Sequence, residues 1–426
     1  MPGPESRLLS RKLSRRRLLG EVAAAITGGA VIAAGIEHDR IEAPLNQWVD
    51  WKNAEDSNDT FLERNQKRLK NLTLGCSFAP EELGFTPQDI GPEAAEKYEN
   101  VKQAMDILID DLGITEFRFG VRWANAVKTD PKTGIDHFDF SFYKPFVDYL
   151  IQKGANVCLN IGPIKTFRDP EEHVPKKELQ NVFLPGRGQR VTSDMVIAKK
   201  GVAQLMEQLD YVADNYPGQI SAFQPDNEPE QSTGQFGWVM DKNYLMSNIE
   251  LIHTQFPDAQ ILVNASDPDN VGPISSMFKK LITAYPSMRD HLVLGYDYYY
   301  KKPKLSDKPV IGYLDPITRA QMKGNQSLRD NKKDAKRYGY AIEVTEGQFE
   351  KWGPYVSPGN DIHEFRFMLE RCMDEVLDMN RPSLLRLWGV ESLAWNIMHG
   401  GLTEDRKQII DLIKRINPQK PKLYVF

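Results

Sequence analysis

The 426-residue sequence holds only three cysteines, Cys76, Cys158 and Cys372. So few and so scattered thiols exclude a disulfide framework and a cysteine zinc site, and small buried thiols are the simpler reading. Histidine is scarce too, seven in all, with no His-x-His or His-Glu-x-x-His spacing, so no metal is expected. There is no excess of positive charge: 54 Lys and Arg against 59 Asp and Glu leave −5. The first 17 residues carry six bases (Arg7, Arg11, Lys12, Arg15, Arg16, Arg17) and one acid (Glu5), so the rest of the chain is near −10. An acidic body argues against a nucleic-acid partner, which needs a basic face to neutralise phosphates. Internal repeats are absent, and so is low-complexity sequence beyond the N-terminus. With 41% hydrophobic and 27% charged residues the composition is that of a globular protein, which excludes extended disorder, collagen and coiled coil.

Long hydrophobic runs are limited to one. Residues 1–36 read as a basic region followed by a hydrophobic signal or membrane anchor. Leu18 to Ile36 would span about 28 Å as a helix, close to one bilayer core. Its single charge, Glu21, sits near the basic end. Bases ahead of such a run predict a cytoplasmic N-terminus and an exported, extracytoplasmic body. Ser14-Arg15-Arg16-Arg17-Leu18-Leu19 resembles a twin-arginine export signal, with Leu18 at the usual Phe and Gly20 at the usual Lys. No small-x-small cleavage site precedes Glu37-His38-Asp39, so an uncleaved anchor over 18–36 and a removed signal both stay open. Residues 37–71 read as a polar linker, with Trp48 and Trp51 as isolated aromatics, ending in a short helix near 60–70.

From residue 72 onward short apolar runs alternate with helical patterns. The expected strands are Leu72–Phe78, Thr115–Val121, Asn156–Ile161, Ile220–Gln224, Ile261–Ala265, Leu292–Tyr298, Tyr340–Thr345 and Leu384–Trp388. Amphipathic stretches lie between them, and a last one, Thr403–Ile416, follows the eighth strand. Alternation of this kind implies parallel strands, and eight such units match an α/β fold of the (β/α)8 TIM-barrel type over residues 72–426. A doubly wound sheet would need a glycine-rich phosphate turn after the first strand, and Gly75-Cys76-Ser77-Phe78-Ala79-Pro80 is no such turn.

In a barrel the chemistry sits at the C-terminal ends of the strands. The fourth strand ends in Gln224-Pro225-Asp226-Asn227-Glu228-Pro229 and the seventh in Val344-Thr345-Glu346-Gly347-Gln348. Strands four and seven face each other, so Glu228 and Glu346 would meet across the mouth. Paired carboxylates flanking a sugar bond, one protonated and one ionised, are the working parts of glycosidases. Asn227 could donate to a sugar hydroxyl, Arg118 on the second strand could hold one carboxylate ionised, and Trp388 at the end of the eighth could stack on a sugar face. Trp395 lies beyond. Glu343, three residues before Glu346, should point to the opposite face of its strand, helix-facing or salt-bridged. Lys165, Arg168 and His173 after the third strand read equally well as sugar contacts or as a solvated basic loop.

These segments resemble clan A of the glycoside hydrolases, a group of retaining (β/α)8 enzymes, over roughly residues 72–400. Asn227-Glu228-Pro229 and Thr345-Glu346-Gly347 match its two catalytic motifs as they stand. Phe117-Arg118-Phe119 with Trp123 looks like its second-strand segment. Gln348, Glu350 and Trp352 resemble an extension after the nucleophile, and Trp388-Gly389-Val390-Glu391 an eighth-strand end. The resemblance implies an O-glycosyl hydrolase with Glu346 as nucleophile and Glu228 as acid/base, no cofactor, and an oligosaccharide or polysaccharide substrate. Arg118, Asn227, Tyr299, Gln348, Trp352 and Trp388 are then substrate-binding or supporting residues. Tyr298 and Tyr299 alternate faces. Tyr299, in register with Gly295 and Asp297, is the one expected to hydrogen-bond the nucleophile. A transglycosylase on the same site, an inactive carbohydrate-binding barrel and an envelope scaffold are the other readings. Loops 162–194 and 299–327 are long enough to set the substrate.

Overall fold

The computed structural model describes residues 57–133, 136–168, 171–180, 182–266, 271–299, 329–350 and 357–417. The expected signal or anchor over 1–36, the linker up to residue 56, all but the first residue of loop 299–327, and Trp352 lie outside the described residues. No described helix is long and apolar enough to cross a membrane.

Eight strands close into one barrel in chain order: β1 Leu72–Phe78, β2 Glu116–Gly120, β3 Asn156–Asn160, β4 Ala222–Gln224, β5 Gln260–Ala265, β6 Leu292–Tyr298, β7 Ala341–Gln348 and β8 Ser383–Trp388. Every neighbouring pair is parallel. The helices around it are α1 Asn58–Leu69, α2 Gly91–Asp106, α3 Lys144–Gln152, α4 Val196–Asn215, α5 Lys242–Gln255, α6 Val271–Ala284, α7 over residues 329–338, α8 Ile362–Arg371, α9 Glu391–Met398 and α10 Glu404–Ile416. The strands come in the order the periodicity predicts, with the expected helices between them, and α9 after β8 is an additional helix that the periodicity does not indicate. Ser57, Asp241, Asp361 and Thr403 cap four helices by accepting from first-turn N–H groups, which leaves fewer backbone donors unpaired there.

Alternation along the strands builds the core. Leu72, Leu74, Phe117, Phe119, Ile261, Val263, Leu292, Leu294, Val344 and Leu385 belong to a single apolar layer with the helices. Each such side chain contributes about 1.5–3 kcal/mol on burial. Cys158, Ala222, Leu262 and Val293 form a small separate cluster on the inner face. All three cysteines are buried and free. Also inside lies the buried Glu343–Arg386 ion pair. Glycines make room for these inner side chains. A Cβ on Gly75 would lie 2.6 Å from the Glu116 carbonyl oxygen, and one on Gly295 would lie 2.7 Å from Thr345 Cγ2.

Helix α1 is part of this packing rather than a linker. Phe61 and Leu69 are buried in the main core, and Asn58 Nδ2 donates to Gln408 O on α10 at 2.9 Å. The packed unit therefore begins ahead of residue 72. The loops after β3 and β4 share a second core with Trp123 from the loop after β2 and Tyr244 from α5, made of these with Ile164, Val174, Val191 and Trp238. Residues Arg190–Val191 and Val239–Met240 pair as two short parallel strands, and Trp238 Nε1 donates to Pro185 O at 2.8 Å. Glu172 accepts from the Phe236 and Trp238 N–H groups at 3.2 and 3.0 Å, fixing one loop to the other.

Candidate active site

Arg118 stands at the centre of the barrel mouth and is fully buried. Its guanidinium donates to Glu346 Oε1 at 2.6 Å, Gln224 Oε1 at 2.5 Å, Ser77 Oγ at 3.2 Å and the Asn227 side-chain oxygen. It also lies over the Phe167 ring at 4.4 Å. One planar fork thus ties β1, β2, β4 and β7 together, a task that suits Arg and not Lys. Asn264 on β5 is a second hub. Its Oδ1 accepts from Gln224 Nε2 at 2.6 Å and from the Glu228 backbone N–H at 3.0 Å. Its Nδ2 donates to Asn227 Oδ1 at 3.0 Å and Asp297 Oδ2 at 2.6 Å. The Asn227 oxygen is thereby committed to Arg118 and Asn264, which leaves its amide NH2 as the group to meet a ligand.

The turn after β4 is bent by two left-handed residues, Asp226 (φ 44°) and Glu228 (φ 40°). Such conformations cost about 1–3 kcal/mol each in a non-glycine residue and persist only when neighbours hold them. Here the loop after β3 does so. Asp226 Oδ1 accepts from the Ile164 and Lys165 N–H groups at 3.1 and 2.8 Å, and the Asn227 N–H donates to Lys165 O at 2.9 Å. A Cβ on Gly162 would meet Asp226 Cα at 2.7 Å, so only glycine permits the approach. Lys165 Nζ donates to the Glu228 and Gln231 carbonyls at 3.2 and 3.0 Å and pairs with Glu171 at 3.0 Å.

Glu346 reaches the mouth through a bulge. On β8 the partners of Val344 and Gly347 are Leu385 and Leu387, so Thr345 and Glu346 together face Arg386. Two residues against one turns both inward. Strict alternation, which sets Glu343 and Glu346 on opposite faces, fails for this reason. Glu343 also points into the barrel, where it pairs with Arg386, and it takes no part in the mouth. Glu346 receives the Tyr299 hydroxyl as well as Arg118. Thr345 Oγ1 donates to Asp297 Oδ1 at 2.6 Å.

Glu228, Asp297 and Glu346 each offer a carboxylate oxygen within 4.8 Å of the others'. Among the described residues this is the one trio of ligating side chains close enough to share an ion, and the oxygens of Glu346 and Asp297 already receive Arg118, Tyr299, Thr345 and Asn264. Burial pushes the Glu228 carboxyl well above the usual range, and the negative charges of Glu171, Asp297 and Glu346 push it further. Burial, then Glu346, raises Asp297 as well, against the pull of Arg118. Burial beside Glu346 also holds the Tyr299 phenol well above its ordinary value, so it stays a donor.

The expected site residues Arg118, Asn227, Glu228, Tyr299 and Glu346 thus converge on one network. Trp388 is buried nearby, with the Tyr299 ring edge-on at 5.9 Å and the Arg168 guanidinium over it at 4.5 Å, so one partner already covers it. Gln348 is buried at the end of β7 and donates to Glu350 O at 2.9 Å, which makes it a support of that strand end. Trp395 lies outside this network on α9, partly exposed and stacked on His399 at 4.0 Å. Lys165 and Arg168 are not a solvated basic loop. Both are buried, and Arg168 pairs with buried Glu391 at 2.5 Å. Burial lifts Glu391 to about 7 despite that partner. His173 is lowered to about 3 by burial and the Arg122 charge, so it remains neutral. The residues the sequence left unassigned are Asn264, Gln224, Ser77 and Asp297. Asp297 shares strand parity with Gly295 and Tyr299, and that was the available signal.

No family model matches the chain, and no curated protein matches it. Among solved structures it is similar to a GH10 endoxylanase retrieved from a sugarcane soil metagenome, at 12% identity over 76% of this chain and 87% of that one, TM-score 0.42. An intracellular xylanase from Thermoanaerobacterium saccharolyticum, solved with xylotriose, matches at 13% identity over 79% and 90%, TM-score 0.39. A GH5-4 broad specificity endoglucanase from Clostridium acetobutylicum matches at 13% identity over 84% and 100%, TM-score 0.43.

Proposed function

We propose that this barrel is a retaining O-glycosyl hydrolase in which Glu346 is the nucleophile and Glu228 the acid/base. The observation that carries the reading is the spacing of their carboxylate oxygens, within 4.8 Å, across a buried mouth. Carboxyl groups about 5–5.5 Å apart suit direct attack, whereas about 6.5–9.5 Å would leave room for an intervening water and invert the product. In the first step a Glu346 oxygen bonds to the anomeric carbon while the glycosidic oxygen leaves with the Glu228 proton. In the second, Glu228 takes a proton from water, whose oxygen displaces Glu346 and restores both carboxyls.

The surroundings support this division of labour. Arg118 and Tyr299 each donate one hydrogen bond to the Glu346 carboxylate, so its charge is matched before substrate arrives. Among the described residues no cation pairs with the Glu228 carboxyl, which is pushed toward the protonated form by burial and by neighbouring acids. The free NH2 of Asn227 is placed to donate to the hydroxyl beside the reacting carbon. The substrate class is an oligosaccharide or polysaccharide. The basic and then apolar N-terminal sequence favours action outside the cytoplasm.

The test is covalent trapping. A slow 2-fluoro glycoside should add one glycosyl mass, and peptide mapping should place it on Glu346. Glu346→Ala should abolish the adduct, and Glu228→Gln should remove most turnover of a glycoside with a poor leaving group, about 10²–10⁴-fold. Unchanged turnover in both variants refutes the assignment.

A further inference from the structure

The double displacement gives Asp297 no part, yet this residue lies where the two glutamates meet. It is 2% exposed, and its carboxylate is within 4.8 Å of both of theirs. Three negative charges at that spacing, shielded from water, do not persist together beside one guanidinium. The hydrogen bonds decide which group keeps a proton. Glu346 receives Arg118 at 2.6 Å and the Tyr299 hydroxyl. Asp297 receives Thr345 Oγ1 and Asn264 Nδ2, both at 2.6 Å. Glu228 has the Thr233 hydroxyl at 3.3 Å, and that hydroxyl is closer to Glu171, at 2.8 Å. Glu228 is therefore the least well served of the three, and its carboxyl lies within 4.8 Å of the Asp297 carboxylate.

We propose that Asp297 is a positioning residue whose fixed carboxylate accepts a hydrogen bond from the Glu228 carboxyl and keeps the proton there, ready for the glycosidic oxygen. The proposal rests on the glycosidase reading above. Two neutral donors hold Asp297 in place, so its charge acts on Glu228 with little freedom to turn away. The other charged or titratable groups facing Glu228 are Glu171 and Lys165 from the loop after β3, Arg118 from β2, Tyr299 from β6 and Glu346 from β7, while β5 presents the neutral Asn264. Burial and the charges of Glu171, Asp297 and Glu346 all raise the Glu228 carboxyl. Removing the Asp297 charge should let the proton leave at lower pH.

The experiment has an arm that needs no turnover. Difference infrared spectra of the full chain, with Glu228→Gln to identify the band, follow the protonated Glu228 carboxyl against pH. In Asp297→Asn that band should disappear at least about one pH unit below wild type. The kinetic arm compares a dinitrophenyl glycoside, which needs little acid assistance, with a phenyl glycoside, which needs it. Asp297→Asn should lose at least tenfold in kcat on the phenyl substrate above neutral pH and less than threefold on the dinitrophenyl one. Asp297→Ala, checked by its melting curve, replaces the Asn variant if that does not fold. An unchanged Glu228 titration overturns the proposal, and so does an equal loss on both substrates. If wild type cleaves no glycoside, the glycosidase reading fails by itself, and the infrared titration still decides whether Asp297 holds the proton.

Discussion

The most exacting test of this site is a change of one atom in Asn264. Its side chain uses all four hydrogen-bonding positions, two accepting and two donating. Asn264→Asp keeps the shape but turns both donors, aimed at Asn227 Oδ1 and Asp297 Oδ2, into acceptors. A neutral hydrogen bond contributes about 0.5–1.5 kcal/mol and one to a charged group about 1.5–3, so about 2–4 kcal/mol is lost before repulsion is added. Repulsion follows, because the new carboxyl sits against Asp297 in a fully buried setting. It will therefore bind its proton more tightly when folded than when unfolded. Between the unfolded carboxyl value, about 4, and the raised folded value, the native state holds the extra proton, so stability falls as pH rises. Urea unfolding followed by tryptophan fluorescence should show a deficit of at least about 3 kcal/mol at pH 8 that shrinks toward pH 5. Asn264→Ala, which removes the donor to Asp297 but adds no carboxyl of its own, should show a deficit that varies less with pH. A variant as stable as wild type at pH 8, or a deficit equal at both pH values, refutes the orientation assigned to this amide and with it the network that places Glu228.

Tyr299→Phe removes one hydrogen bond to the Glu346 carboxylate and should lower kcat/KM on an aryl glycoside about 10–100-fold, with a melting temperature near wild type. Asp226 is lifted to about 6, chiefly by burial, and one of its oxygens is buried without a partner. Its folded value exceeds the unfolded one, so the group costs stability as pH rises from about 4 to 6. Asp226→Asn should then be about 1–3 kcal/mol more stable than wild type in urea at pH 7 and equal to it near pH 4. In an expression host with a twin-arginine export system, the full chain should fractionate outside the cytoplasm or with its membrane, and deletion of residues 1–36 should leave it inside. Recovery of both forms in the same compartment contradicts the targeting reading.

The barrel was legible because each of its strands carries its own signature. The alternation of Leu72 and Leu74 or Ile261 and Val263 toward the helices needs no tertiary information, and the intervening helices carry their own period. The two carboxylate motifs were legible because strand order alone brings strands four and seven face to face. The bulge at Thr345–Glu346 was not, since it depends on how many residues of β7 oppose Arg386, a property of the pairing and not of the sequence of either strand. That is why strict alternation puts Glu343 on the outer face, whereas the salt-bridged alternative holds, with Arg386 inside the barrel. Asn264 and Gln224 were invisible for another reason. A neutral amide inside a strand is chemically unremarkable until its partners, contributed by β2, β4 and β6, are known. Lys165 and Arg168 read equally well as sugar contacts or surface charge because a basic loop gives no hint of the acids, Glu171 and Glu391, that accompany it into the interior.

The fastening of the third loop to the fourth has a consequence for anyone who would re-engineer this protein. Lys165 grips the peptide oxygen of Glu228, and Gly162 lets Asp226 lie against it, so the two loops behave as a single replaceable part. Swapping the third loop for a foreign one without Gly162 and Lys165 would unseat a residue some sixty positions downstream, while exchanging both together would carry the anchorage along with the new rim.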